Sequence, residues 1–282
     1  MHTYSTIKVF NQIQKALSLL PMANYRFFLD YLLHRLTSKT RHGVHSPFVY
    51  KLVDEVIYDF SNQSYTSTIE AKRSQLKKDT QRITITDYGA GSMLNNGKQK
   101  MVKTIAKNAL KPKRVAQLIA RLAHRFAPHT IIELGTCLAI TTAYIAKASP
   151  SSSVITVEGC PETAKVAQQT LDDLNVENVH LNVGNFDFLL PQILHDLSRI
   201  DFLFLDGNHR KEATLNYFYS CLPKVHDHTL LIFDDIYWSN GMKEAWQEIK
   251  DHPQVTLTID LFYIGLVFFK KDQVKEHFKI RY

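Results

Sequence analysis

The chain has 282 residues, 45% hydrophobic and 22% charged, enough to bury a full apolar core in one large domain with or without a smaller attachment. That composition excludes disordered and fibrous classes, and no uncharged apolar run approaches the roughly 18 to 20 residues needed to cross a bilayer. The formal charge of +7 is uneven: residues 1–120 hold 19 Lys and Arg against 7 Asp and Glu, and the rest of the chain is mildly acidic.

In chain order, residues 6–36 place Val9, Ile13, Leu17 and Leu20, then Phe27, Leu32 and Leu36, at helical spacing, with Pro21 between two expected helices. The opening MHTYSTIKVFNQIQK has no basic-then-apolar export segment, so the expected compartment is the cytosol. Gly43 reads as a hinge. Ser46 as N-cap and Pro47 at the first helical position start a helix expected over 47–60, with Leu52, Val53, Val56 and Ile57 on one face. Residues 61–80 are polar and read as a linker, a flexible loop or a solvated helix. Residues 82–88 alternate and end in DYGAGS, Asp87 to Ser92; no strand with a terminal acid follows at the usual distance, so this is expected to be a structured turn at the edge of a site. Two helical stretches broken near Pro112 lead on, the second over 114–126.

From Thr130 strands and helices alternate. Strands at Thr130–Leu134, 154–157, 179–182, 200–205 and 229–233 are followed by helices at Ile140–Ala148, 161–174, 189–197, Lys211–Cys221 and 241–250. Such repetition gives a mostly parallel sheet covered on both faces. The last pair, 256–261 and 264–269, has too short a connection for a crossover and must run antiparallel. Cys137, Cys160 and Cys221 are odd in number and lack CxxC spacing, which points to buried free thiols.

The organising stretch is IIELGTCLAITTAYIAK, 131–147: a strand, a break at Gly135 and a helix. A turn of this kind brings backbone N–H groups and a helix N-terminus to the sheet edge, where a nucleotide-like ligand meets little side-chain obstruction. Glu158 ends the next strand, twenty-three residues after Gly135, where a ribose-binding α/β unit supplies an acid for the sugar hydroxyls.

Glu133, Gly135 and Thr136, with Ala139 and Thr141 behind them, resemble the first motif of class I S-adenosylmethionine-dependent methyltransferases, closest to the catechol and caffeoyl-CoA O-methyltransferases. The resemblance covers about 114–271. It implies a Rossmann-like α/β fold, a seven-stranded mostly parallel sheet of order 3-2-1-4-5-7-6 with an antiparallel last strand, here preceded by a basic, mainly helical extension (1–112) on the substrate side of a cofactor domain (113–282). It assigns Glu133 to the methionine amino group, Gly135 and Thr136 to the turn beneath the methionine part, Glu158 to the ribose, and Gly184 and Asn185 to the adenine side. Ala139 and Cys137 stand where the family commonly has glycine.

Asp206 ends a buried strand and His209 follows in FLDGNHRKE, both expected to face the ligand crevice. His209 matches the position of the family's lysine base, and a neutral histidine can take a proton from an acceptor hydroxyl; a capping or surface histidine is the plain reading. Asp234 and Asp235 follow the next strand. Three carboxylates together are costly unless something positive sits among them. The resemblance offers Mg²⁺ on Asp206, Asp234 and Asp235, and the alternative is a metal-free site in which an Asp orients His209 or the substrate. Tyr237, Trp238, Phe262 and Tyr263 wall an acceptor pocket or pack in the core. The expected activity is methyl transfer to a small hydroxyl-bearing acceptor. The basic N-terminal part motivates one rival, an RNA or nucleotide methyltransferase, and Ala139 with the altered base motivates another, a non-catalytic nucleotide-binding scaffold. Oligomeric state, a dimer included, is left open.

Overall fold

A computed structural model describes residues 22–86, 97–271 and 274–282. The first expected helix, before Pro21, and the DYGAGS stretch lie outside the described residues. Among the described residues helix α1 (Met22–Thr37) comes first, and its His34 is buried with Nε2 3.0 Å from Asp260 Oδ1 at the far end of the chain. Helix α2 (Pro47–Leu52) begins with Pro47 as expected and runs on into a π-helical turn, Val53–Ile57, although the Ser46 hydroxyl makes no capping bond.

Residues 61–80 are neither a linker nor a solvated surface. They contain helix α3 (Thr66–Leu76), whose Ile69 and Leu76 are buried, and its charges are answered inside the fold: buried Lys72 pairs with Asp173, and Arg73 Nε donates to Glu70 at 2.9 Å. A chain segment rich in Lys, Arg and Ser can hold a buried face when each long side chain packs its stem and pairs its head. Strands β1 (Arg82–Thr84) and β2 (Gln99–Met101) form a small antiparallel pair, followed by α4 (Val102–Asn108) and α5 (Lys113–Phe126). Helix α5 stops where Ala127 turns left-handed at φ 42° and Pro128 follows.

The main sheet then builds up from β3 (Thr130–Leu134), β4 (Ser153–Glu158), β5 (Val179–Val183), β6 (Phe202–Leu205) and β7 (Leu230–Asp234), paired in parallel in the order β5-β4-β3-β6-β7. Helices α6 (Ile140–Ala148), α7 (Pro161–Asp173), α8 (Phe186–Asp196), α9 (Lys211–Cys221) and α10 (Asn240–Asp251) fall between or after them. Strand β9 (Ile264–Phe268) lies antiparallel between β7 and β8 (Leu257–Asp260). Counted from β3, these seven strands take the expected order.

The sheet has one strand more than expected. Strand β10 (Glu276–Lys279) adds to the edge, parallel to β8, with Glu276 opposite Leu257. EHFK has too little apolar alternation to announce a strand, since only Phe278 of the four is buried; charged, short strands are what exposed edges carry.

Strands β6 and β7, FLFL and LLIFD, are buried at every position because helices cover both faces. Their two-residue period divides the core. Phe202, Phe204, Leu230 and Ile232 meet α2 and α5 on one face, through Val53, Ile57, Leu118 and Leu122. Leu203, Leu205, Leu231 and Phe233 meet Phe218 of α9 and Trp246 of α10 on the other. A third cluster joins Ile69, Leu76 and Val102 of the N-terminal part to Ala116, Leu138 and Tyr144, so α3 and α4 are packed onto α5 and α6. This packing brings the segment before α5 to the C-terminal ends of β6 and β7.

Candidate active site

At the end of β3 the chain turns at Gly135, φ +110°, so close to the end of β6 that a Cβ there would lie 1.9 Å from the Asp206 carbonyl oxygen. Only glycine tolerates both the dihedral and the approach. The turn stays left-handed at Cys137 (φ 50°) and Ala139 (φ 58°), the two places where the resemblance expects glycine. Non-glycine residues held there store strain of order 1 kcal/mol each.

Glu158 ends β4 and reaches back under this turn. Its Oε2 accepts the Cys137 N–H at 2.8 Å and its Oε1 the Cys160 N–H at 2.9 Å. Burial pushes the carboxyl up, and N–H donation from Cys160, Cys137 and Gly159 works against that shift. The carboxylate is therefore fixed in orientation with lone pairs to spare for a ligand's hydroxyls. Gly135, Cys137, Glu158, Gly184, Asn185 and Phe186 line one end of a cavity of about 560 Å³. Asn185 also caps α8, its Oδ1 accepting the Asp187 N–H at 2.9 Å.

Four residues of the first motif do not reach that cavity. Thr136, Ala139 and Thr141 are buried beneath the turn, and Glu133 is wholly buried. Glu133 Oε2 accepts hydroxyl bonds from Thr142 at 2.5 Å and Thr156 at 2.7 Å, while Oε1 has no hydrogen-bond partner among the described residues. Burial pushes this carboxyl up to about 7 despite the two threonines. A side chain in the middle of a central strand points into a helix layer, which is why Glu133 meets α6 and β4 instead of the cavity.

The other end of the cavity is made where β6 and β7 finish. Asp206, His209 and Asp235 line it together with Lys111 and Trp238. His209 stands between two acids, its Nε2 3.8 Å from Asp206 Oδ1 and 3.7 Å from Asp235 Oδ2, and its buried Nδ1 has no partner among the described residues. Asp235 (φ 52°) and Asn208 (φ 53°) are again left-handed, a conformation that Asp and Asn adopt more readily than other non-glycine residues.

Lys111 is the residue that the sequence reading missed. It lies in the short connection between α4 and α5, and its Nζ is 3.0 Å from Asp206 Oδ1 and bonded to Asp234 Oδ2. Burial alone would push the ammonium down, but Asp206, Asp234 and Asp235 outweigh it and hold Lys111 charged. Asp234 is buried to 1% exposure, and burial and then Asp206 push its carboxyl up against the opposing pull of Lys111. The need for a positive charge among these acids was legible; that the chain itself supplies it was not, because LKPK carries no signal of its fold partner.

The expected Mg²⁺ set is also redrawn. Oxygens of Asp206 and Asp234 come together with a nitrogen of His209, all within 4.8 Å, and Asp235 stands outside that group. With the Lys111 ammonium seated against two of the three, the residues present do not fit a divalent cation. Of the four aromatics, Trp238 lines the cavity. Tyr237 stacks on Phe262 at 4.8 Å and donates to Asp260, and Phe262 packs against Phe27 and Tyr31 of α1, so these serve packing. Part of the N-terminal positive charge is likewise internal: Lys72 and Arg73 are buried, Arg73 Nη1 donating to the Lys111 carbonyl at 2.7 Å.

Residues 132–236 match a family described as a methyltransferase domain. An O-methyltransferase from Bacillus cereus, solved with SAH, shares the fold at a TM-score of 0.53 and 17% identity over 75% of this chain and 93% of that one. A methyltransferase from Podospora anserina, also solved with SAH, gives a TM-score of 0.56 at 11% identity over 81% and 98%. The domain match over residues 132–236 and the shared fold support the resemblance to the class I S-adenosylmethionine-dependent methyltransferases of the O-methyltransferase-like group.

Among sequences, the mouse transmembrane O-methyltransferase homolog is 32% identical over 120 residues, 41% of this chain and 44% of that protein. The chain therefore spans less than half the length of the curated relatives it matches. No helix among the described residues is long and apolar enough to cross a membrane.

Proposed function

We propose that this protein transfers a methyl group from S-adenosylmethionine to an oxygen of a small-molecule acceptor. One observation carries the reading: the Gly135 turn and Glu158 open into the same cavity as Asp206 and His209, so a nucleoside site and a proton acceptor share one space. In this reading the clamped Glu158 carboxylate accepts the ribose hydroxyls, the Gly135–Cys137 backbone carries the methionine part, and Gly184 with Asn185 borders the adenine. In this reading the acceptor-side cover comes from the described part of the N-terminal region, residues 22–86 and 97–112.

The bound cofactor would supply an electrophilic methyl group on sulfur. An acceptor oxygen pair forms the new O–CH₃ bond as the S–CH₃ bond breaks, the sulfonium becomes a neutral thioether, and the hydroxyl proton passes to His209. Holding the two partners in line accounts for most of the acceleration, with removal of the proton adding the rest. With the Lys111 ammonium seated against Asp206 and Asp234, this reading routes no step through a metal.

Isothermal titration calorimetry with S-adenosylmethionine tests the first half. The wild type should bind, and E158Q, which loses the charge that the two N–H groups hold, should bind about tenfold more weakly. No uptake by folded wild type would refute the assignment and leave the scaffold reading. A screen of acceptors with labelled cofactor tests the second half.

A further inference from the structure

Lys111 is built into its place. Its carbonyl oxygen accepts from Arg73 Nη1 at 2.7 Å, and Arg73 is itself buried and bonded to Glu70. The backbone that delivers the ammonium is thus pinned to α3, and the Lys111 side chain is only 13% exposed. Its head meets Asp206 and Asp234, two of the three residues whose ligand atoms gather as a metal site would require. An ammonium and a dication cannot share that space, since like charges a few ångströms apart repel strongly in a dry site.

We infer that Lys111 takes the place of the divalent cation in this site, so that the acceptor oxygen is met by an ammonium group belonging to the chain. For the acceptor's role the inference rests on the methyl-transfer reading above. It also narrows the acceptor. A dication with open positions draws two neighbouring oxygens of a diol into its shell. An ammonium has three N–H donors; Asp206 and Asp234 take two, and the third serves one oxygen. The acceptor accordingly needs only one hydroxyl at this position, with no vicinal partner.

Mn²⁺ is the probe, titrated calorimetrically and by electron paramagnetic resonance into the full-length wild type, K111Q and K111M. The wild type should show no saturable uptake. Each variant should bind one Mn²⁺ per chain at least about tenfold more tightly than the wild type, and lose it again when D206N is added. Stoichiometric Mn²⁺ binding by the wild type that D234N abolishes would overturn the inference, as would a folded K111Q with no gain. Should both lysine variants fail to fold by circular dichroism, the wild-type titration decides alone. S-adenosylmethionine titrated into the same wild-type sample reports on the cofactor reading, so the two ideas fail separately.

Discussion

At the end of the cavity formed by β3 and β4 the groups that face a ligand are mostly backbone: a glycine turn, left-handed residues and N–H groups that aim Glu158. At the end formed by β6 and β7 they are ionisable side chains, two acids, a histidine and a lysine, with Asp234 buried against that lysine. The first end comes from the stretch 135–160 with Gly184, Asn185 and Phe186 added, and the second needs Lys111, which is 123 positions from Asp234. Backbone geometry can be written locally, whereas a balanced charge cluster has to be assembled by the tertiary fold. The two ends should therefore fail differently when damaged.

The largest separation is expected from H209A. Removing the proposed proton acceptor should lower kcat about 10² to 10⁴-fold and leave S-adenosylmethionine affinity within about threefold. Label transfer and calorimetry on the same preparation check this, and undiminished turnover would take the base role from His209. G135A should do the reverse of a clean separation, because Gly135 is where the ends touch. The Asp206 N–H donates to the Leu134 carbonyl at 2.8 Å, and a Cβ on Gly135 would strike the Asp206 carbonyl, which is backbone and cannot swing aside. Stability should fall by about 3 kcal/mol in chemical denaturation, with cofactor binding and turnover lost together.

The same contrast explains what could be seen in the sequence. The strand and helix alternation, the antiparallel last pair, the break at Gly135 and the acid at Glu158 were legible because strand period, glycine and spacing are local signals, while the strand order came from the family resemblance. Strand β10 was not, since Phe278 alone gives no alternation, and the burial of α3 was not, since its inner face includes Lys72, paired with Asp173 101 positions away, and Arg73, which donates to the Lys111 carbonyl. For the site, sequence reasoning brought Asp206, His209, Asp234 and Asp235 together and called for something positive, yet offered only Mg²⁺ or a metal-free site in which an Asp orients His209 or the substrate. It also placed Glu133 beside the ligand, where strand geometry turns it into the layer of α6.

Glu133 sharpens the comparison by pH. Its carboxyl is ordinarily near 4.5 and is held at about 7 in the fold. Between those values the folded protein keeps a proton that the unfolded chain has released, so stability falls as pH rises through the window and levels off above it. Below about 4.5 both states hold the proton and the difference vanishes. Over the window the loss amounts to about 3 kcal/mol. E133Q should remove that slope, whatever it does to the overall level, as read from denaturation midpoints at pH 4.5, 6 and 7.5. Identical slopes in the two proteins would mean that Glu133 is already ionised inside the fold.

The smallest effect belongs to the strained turn itself. Cys137 sits at φ 50° and gives its N–H to Glu158, so the position has a backbone duty that any residue can meet and a dihedral that glycine meets best. Comparing C137G with C137A removes the thiol from both and leaves the dihedral as the difference. Alanine there carries a left-handed penalty of about 1 to 2 kcal/mol, and glycine's larger unfolded-state entropy returns roughly 0.5 to 1 of it. C137G should thus be the more stable of the two by about 0.5 to 1 kcal/mol, with S-adenosylmethionine affinity alike in both because the N–H to Glu158 survives. If C137A proves as stable as C137G, the turn at Cys137 is not under strain, and the first end of the cavity owes its shape to Gly135 and Glu158 alone.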